Sequence, residues 1–173
     1  MPVGKAVTAM QRVIIMGPPG SGKSTLARRI GTQHGLPVFH LDQAYWQPGW
    51  TMTPAADFAF AVGRVASGPA WVIDGNNTAT LGPRLRAADT VILLDVPAWL
   101  SMLRIARRTL ANYGRVRPDM APGCPEKLDL AFLRFAWAWN RTRRDQTLAA
   151  LEGFDSRVIV LRGRSASGST LPE

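Results

Sequence analysis

The stretch Arg12-Val13-Ile14-Ile15-Met16-Gly17-Pro18-Pro19-Gly20-Ser21-Gly22-Lys23-Ser24-Thr25 decides the fold. Its first five residues form a short β-branched run, apolar on both faces, as in a strand buried within a parallel sheet. From Gly17 onward the residues satisfy G-x-x-x-x-G-K-[ST] in full, after a strand and at the opening of a helix. Glycines at these places let the backbone wrap closely, so successive N–H groups point into an anion-sized concavity. The helix that starts near Lys23 adds its positive end. Gly17, Pro18, Pro19, Gly20, Ser21, Gly22, Lys23, Ser24 and Thr25 therefore read as the cradle of a nucleoside triphosphate. Lys23 is the catalytic cation that reaches the β- and γ-phosphates, and Ser24 places its hydroxyl on Mg²⁺.

Outward from this loop, strands and helices alternate. Helical patterning over Ser24–His34 is stopped by Gly35-Leu36-Pro37, and Val38–Leu41 is a second strand candidate. The loop QAYWQPGWTMTP leads into a helix over about 54–66, with Thr53 as N-cap and Pro54 at its first position. Further strands are read at 71–73, 90–94 and 157–161, with a short helix over 79–87. Long helices follow from Pro97 to about Asn112 and over about 127–152, separated by a Pro- and Gly-containing loop at 113–125. Five apolar strands alternating with helices give an α/β fold of three layers, a five-stranded parallel sheet with helices on both faces. No internal repeat interrupts it, so residues 1–173 read as one domain, with a mobile tail at 165–173.

Composition sets the broad class. With 46% apolar and 19% charged residues in 173, the chain is not disordered. No apolar run approaches the roughly 18 residues of a membrane span, and the opening MPVGKAVTAM has no apolar core of a secretion signal. The single Cys124 excludes an internal disulfide and a cysteine-only metal site, which suits a reducing cytoplasm. The expectation is a soluble cytoplasmic protein with no membrane partner. Charge is the unusual quantity, at +9. From Arg104 to Arg144, nine arginines and Lys127 face only Asp119, Glu126 and Asp129, a net +7 in 41 residues. Such a cluster concentrates anions, whether nucleic acid, membrane phosphates or a small phosphorylated substrate.

Ligands of open parallel sheets bind beyond the carboxyl ends of the strands, and three acids fall there. Asp74, after Trp71-Val72-Ile73 and before Gly75, is placed to hold Mg²⁺ or its water shell. Asp42 has two readings: it orients or deprotonates an acceptor hydroxyl, or it is a loop acid or helix cap. Asp95, before Val96-Pro97, reads as a helix cap or a brace of its loop. Arg104, Arg107 and Arg108 share one face of their helix, as do Arg141 and Arg144 on the next, with Arg143 nearby. Two arginine-bearing helices joined by a loop form a candidate lid, about 113–128, whose arginines would neutralise the transferring phosphoryl group; the alternative is a solvated basic face. Arg84 and Arg86 are candidates to grip an acceptor phosphate, or else surface charge. Tyr45, Trp46 and Trp50 either stack a flat ligand or pack as core. Trp99, Trp137 and Trp139 read as helix packing, and His34 and His40 as structural residues.

The segments RVIIMGPPGSGKST, HLDQAYWQPGW, WVIDGN, RAADTVILLDVP and RPDMAPGCPEKLD resemble the family called DNA topology modulation protein, FlaR-related, over about residues 11–164. That family lies within the adenylate-kinase-like group of P-loop proteins. The resemblance implies a sheet in the order 2-3-1-4-5 with a lid inserted after the fourth strand. It implies ATP and Mg²⁺ as cofactors, with Asp74 assisting the metal. It also implies that Arg84 grips the acceptor phosphate and that Arg107, Arg108 and Arg141 or Arg144 hold the transferring phosphate. The loop Arg162-Gly163-Arg164 resembles the adenine-side loop. The sequence departs from adenylate kinases at Asp74-Gly75-Asn76-Asn77, where they carry Asp-Gly-Phe-Pro-Arg, and at His40-Leu41-Asp42, where they carry Thr-Gly-Asp. AMP therefore does not carry over as the acceptor.

Two classes of function follow. The first is a Mg-ATP-dependent phosphotransferase acting on a nucleotide, nucleoside or other small acceptor, with Lys23, Asp42 and the lid arginines at the chemistry and Asp42, Trp46, Trp50 and Arg84 at the acceptor. The second is a DNA-associated ATP-binding regulator with slow or no kinase activity, resting on net charge and the family name; no DNA-reading motif accompanies it. A third reading is a nucleotide-binding protein with slow hydrolysis alone.

Overall fold

A computed structural model describes residues 10–154 and 156–163. In chain order its elements are β1 (Arg12–Met16), α1 (Lys23–His34), β2 (Val38–His40), α2 (Leu41–Tyr45), β3 (Trp46–Gln47), β4 (Thr51–Met52) and α3 (Ala55–Ala66). There follow β5 (Trp71–Asp74), α4 (Leu81–Ala87), β6 (Thr90–Asp95), α5 (Ala98–Asn112), α6 (Leu130–Thr142), α7 (Arg144–Leu151) and β7 (Arg157–Arg162). The sheet runs β2-β5-β1-β6-β7, all pairs parallel. Counted among the sheet's own strands this is 2-3-1-4-5, the expected order. β3 and β4 form a separate antiparallel hairpin.

Successive side chains of a strand point to opposite faces, and β1 divides its residues between two apolar layers. Ile14 and Met16 join Phe58, Val62 and Ala66 of α3, Leu81 of α4 and Leu151 of α7. Val13 and Ile15 join Leu26, Ala27 and Ile30 of α1 and Leu100 of α5. Each such side chain, fully buried, stabilises the fold by about 2 kcal/mol. The edge strand β7 alternates between half-buried and exposed positions, with Val158 and Val160 at 39% exposure. Trp139 is packed inside as expected, whereas Trp99 and Trp137 stand half exposed.

Local departures have local causes. The helix expected over 127–152 begins at Leu130, where Asp129 caps Phe132 N–H, and is split into α6 and α7 at Arg143. Thr142 Oγ1 bonds back to the Ala138 carbonyl, which favours a bend. On the far side of the break Arg144 is drawn to Asp95 by two hydrogen bonds of 3.0 and 2.8 Å. Thr53 does not cap α3; its Oγ1 donates to the Ala44 carbonyl, and Pro54 takes the cap position. The stretch read as a loop holds α2 and the β3–β4 hairpin instead, with Trp50 at φ 64 closing the turn.

The Arg144 hydrogen bonds hold the Asp95 carboxyl below the ordinary carboxylate range. A carboxyl depressed in the folded state stabilises above its unfolded pKa of about 4 and ceases to as pH falls through the folded value. Arg144→Met should cost no more than about 1 kcal/mol at neutral pH. It should also flatten the loss of stability below about pH 4, read by urea denaturation across pH; identical acid limbs would count against the pairing.

Candidate active site

The loop after β1 sits hard against its neighbours. A Cβ on Gly17 (φ +145) would lie 2.6 Å from the Leu94 carbonyl oxygen, and one on Gly20 (φ +74) 2.6 Å from that of Ser101. Both positions thus need glycine for space and for backbone angle. Asn76, just past β5, clamps Gly17 from both sides: its Oδ1 accepts from Gly17 N–H at 3.0 Å and its Nδ2 donates to Gly17 O at 2.6 Å. Arg104 of α5 donates to the Ser21 carbonyl at 2.9 Å. The Lys23 ammonium donates to Gly17 O and Pro18 O, each at 3.0 Å, which leaves its third N–H for a phosphate oxygen. Burial lowers the Lys23 pKa, against the pull of Asp42 and Asp74.

Ser24 Oγ donates to Asp74 Oδ2 at 2.9 Å. Asp74 is buried, and its Oδ1 is bonded to His40 Nδ1. Among the described residues no three His, Cys, Asp or Glu side chains converge as an all-protein metal cage. Two hard oxygen donors beside a phosphate cradle fit Mg²⁺, which takes one or two protein groups and completes its shell with water and phosphate.

A cleft of about 1200 Å³ opens over this site. Its far walls come from the segment between α5 and α6 and from the hairpin region. Glu126 is the hub of that segment: it accepts from Arg108 Nε at 3.1 Å and Thr109 Oγ1 at 3.0 Å, and pairs with Arg117 Nε at 2.7 Å. Arg117 also donates to Asp119 at 2.8 Å. Desolvation pushes Asp119 up, but the Arg117 guanidinium beside it outweighs that and holds the carboxyl below its ordinary range. Across the cleft the segment meets the hairpin. Met120, Ala121 and Cys124 are buried against Trp46 and Trp50, Gly49 N–H donates to Gly123 O at 3.0 Å, and Cys124 Sγ donates to Gln47 O at 3.1 Å. Asp42 faces this cleft. Its side chain is open to the cleft solvent, yet protein walls crowd it, and that desolvation, with Asp74 and Asp119 adding repulsion, raises its pKa against Lys23 and Arg117.

Of the residues expected from sequence, Pro19, Gly20, Gly22, Lys23, Ser24, Thr25, Asp42, Trp46, Trp50, Asp74 and Arg108 line this cleft. Gly17, Pro18 and Ser21 support it through their backbones. Five arginines lie elsewhere. Arg84 is fully buried and gives its guanidinium to the carbonyls of Thr80, Gly75 and Asn77, so it braces the turn after β5 and does not line the cleft. Desolvation lowers its pKa to about 10. Arg107 and Arg141 are exposed and do not line the cleft. Arg144 is spent on Asp95, and Arg162, exposed, lies 3.7 Å from the same carboxylate. Arg164 and the tail 165–173 lie outside the described residues. Sequence reading missed His40, Asn76, Arg117, Asp119 and Glu126. Their neighbourhoods drew attention, through the departures at His40-Leu41-Asp42 and Asp74-Gly75-Asn76-Asn77 and the segment RPDMAPGCPEKLD, but none of the five was read as a site residue.

No protein-family model matches this chain, and no curated protein matches it in sequence. Its structure is similar to a gluconokinase from Sinorhizobium meliloti 1021, with a TM-score of 0.51 and 19% identity over 88% of this chain and 82% of that one. The likeness is one of fold, an α/β architecture built on a five-stranded parallel sheet with helices. A sugar kinase from Janibacter sp. HTCC2649 aligns with a TM-score of 0.46 and 20% identity over 88% of this chain and 85% of that one.

The burial of Arg84 has a measurable consequence. Arg84→Met should lower unfolding free energy by about 3 kcal/mol, because buried carbonyls lose their donors. A change confined to acceptor KM, with stability intact, would return Arg84 to the acceptor site.

Proposed function

We propose that this chain is a kinase that transfers the γ-phosphoryl group of Mg-ATP to a hydroxyl of a small acceptor. The observation that carries the reading is the convergence, in one cleft, of the Lys23 cradle, the Ser24–Asp74 pair and an acid, Asp42. In this reading the new bond joins the acceptor oxygen to Pγ, the bond from Pγ to the β,γ-bridging oxygen breaks, and the acceptor proton passes to Asp42. Lys23 and Arg108 neutralise phosphate charge, and the barrier falls through positioning and electrostatics. When bound at Ser24 and Asp74, Mg²⁺ would supply charge neutralisation across the phosphates. The segment at about 113–128 acts as the lid, excluding water once the site is filled.

The acceptor wall carries Tyr45, Trp46, Trp50 and Phe58, with Asp42 on its polar side. Arg84, committed to backbone, does not reach that wall; the cations beside it are Arg117 and Lys127, whose ammonium lies over Trp50 at 5.3 Å. The aromatic faces and Asp42 suit a hydroxylated small acceptor. The second reading, a DNA-associated regulator of the topology-modulation type, draws on net charge. Ion pairs of Arg108 and Arg117 with Glu126, and of Arg144 with Asp95, neutralise part of the cluster it relies on, which favours the kinase.

A mass-spectrometric screen of nucleosides, nucleotides and hydroxylated metabolites for ATP-dependent phosphorylation tests this directly. Lys23→Ala should abolish turnover with the fold intact; unchanged rates would sink the assignment. Asp42→Asn should reduce kcat by about 10²-fold or more with ATP affinity near wild type. Because the Asp42 pKa is raised, the base is lost at higher pH than for an ordinary carboxylate. The acid limb of the wild-type kcat profile should therefore lie above about pH 4. Equal losses of ATP binding and turnover in Asp42→Asn would make the residue structural.

A further inference from the structure

We propose that His40 is a positioning residue for the metal: it pins the Asp74 carboxylate so that Oδ2 faces Ser24. The inference rests on the Mg-nucleotide reading of the site. The parallel pairing of β2 with β5 sets His40 directly opposite Asp74, so the two side chains stand together on one face of the sheet. Both are buried. An ionised carboxylate oxygen can only accept, so Nδ1 donates to Oδ1, while Oδ2 accepts from Ser24 Oγ at 2.9 Å. With each oxygen engaged by a different element, rotation about the carboxylate bond is blocked. Packing does not require such a pair, since an apolar side chain at this strand end would bury as well without desolvating an imidazole.

The competitor for Asp74 is Lys23, whose ammonium feels the Asp74 charge. A carboxylate free to turn would swing towards that cation. The swing would cost the site twice, taking an oxygen from the metal position and neutralising the ammonium meant for phosphate. His40 prevents it by satisfying Oδ1 on the side away from Ser24. Asp119, on the segment between α5 and α6, is a further charged group within electrostatic reach of the imidazole. The arrangement is that of a histidine orienting a metal-binding carboxylate from behind, where such partners alter metal affinity by about 10–100-fold.

The test compares binding of the non-hydrolysable ATP analogue AMP-PNP by calorimetry, in EDTA and in saturating Mn²⁺. In wild type, Mn²⁺ should tighten binding. His40→Leu should lose at least tenfold of that enhancement while its affinity in EDTA stays within threefold of wild type. His40→Asn, which sets an amide N–H close to the place of Nδ1, should keep the enhancement within threefold. His40→Gln, whose amide lies one bond further out, should behave as His40→Leu; if the leucine variant does not fold, the Asn–Gln contrast decides alone. Full enhancement in His40→Leu, equal loss in His40→Asn, or a matching loss of affinity in EDTA would each overturn the proposal. Wild-type protein that binds AMP-PNP in neither condition would overturn the kinase reading itself.

Discussion

The hydrogen bond from Ser24 to Asp74 joins the first residues of α1 to the last residue of β5, and the site exists because the sheet brings those two places together. β1 lies between β5 and β6, so the loop leaving β1 emerges beside the end of β5. One strand end then performs two tasks. Asp74 meets the hydroxyl that opens α1, and Asn76, two residues on, locks the backbone of Gly17. The turn between them is held from beneath by Arg84, whose charge is buried against carbonyls where it serves geometry alone. A shift of one residue in the β1–β5 register would send Asp74 to the opposite face and dissolve both contacts.

The sheet is legible in the sequence because its strands are short, apolar on both faces and punctuated by glycine or proline, which is what parallel strands between helices require. Their order is what the family resemblance implies, and the sheet has that order. The break between α6 and α7 is not legible, since nothing in the periodicity of residues 130–151 marks Arg143. It arises from a tertiary demand, the carboxylate of Asp95 at the end of a distant strand. The hairpin after α2 escapes notice for a related reason. Its strands are two residues each, too short for a period, and its shape depends on what packs over it.

The phosphate-binding half of the site is legible because one contiguous motif builds it. The rest is assembled from pairs far apart in the chain, and spacing says nothing about them. His40 looks like an ordinary strand residue until register sets it against Asp74. Arg84 and Arg117 have the same charge and similar settings in sequence, yet one is locked under a turn and the other bridges two acids over the cleft. Arginine in a basic stretch cannot be sorted into these fates without knowing which carbonyls and carboxylates come near.

The seam between the hairpin and the α5–α6 segment leaves no slack: a Cβ on Gly123 would come within 2.9 Å of Pro48. Trp46 and Trp50 are built into this contact, their rings edge-on at 5.5 Å, with the Lys127 ammonium over Trp50 at 5.3 Å. Indole emission depends on polarity and on nearby cations, so parting the two faces would change both for these rings at once. Two of the six tryptophans thus make the mouth of the cleft optically self-reporting, without any label attached.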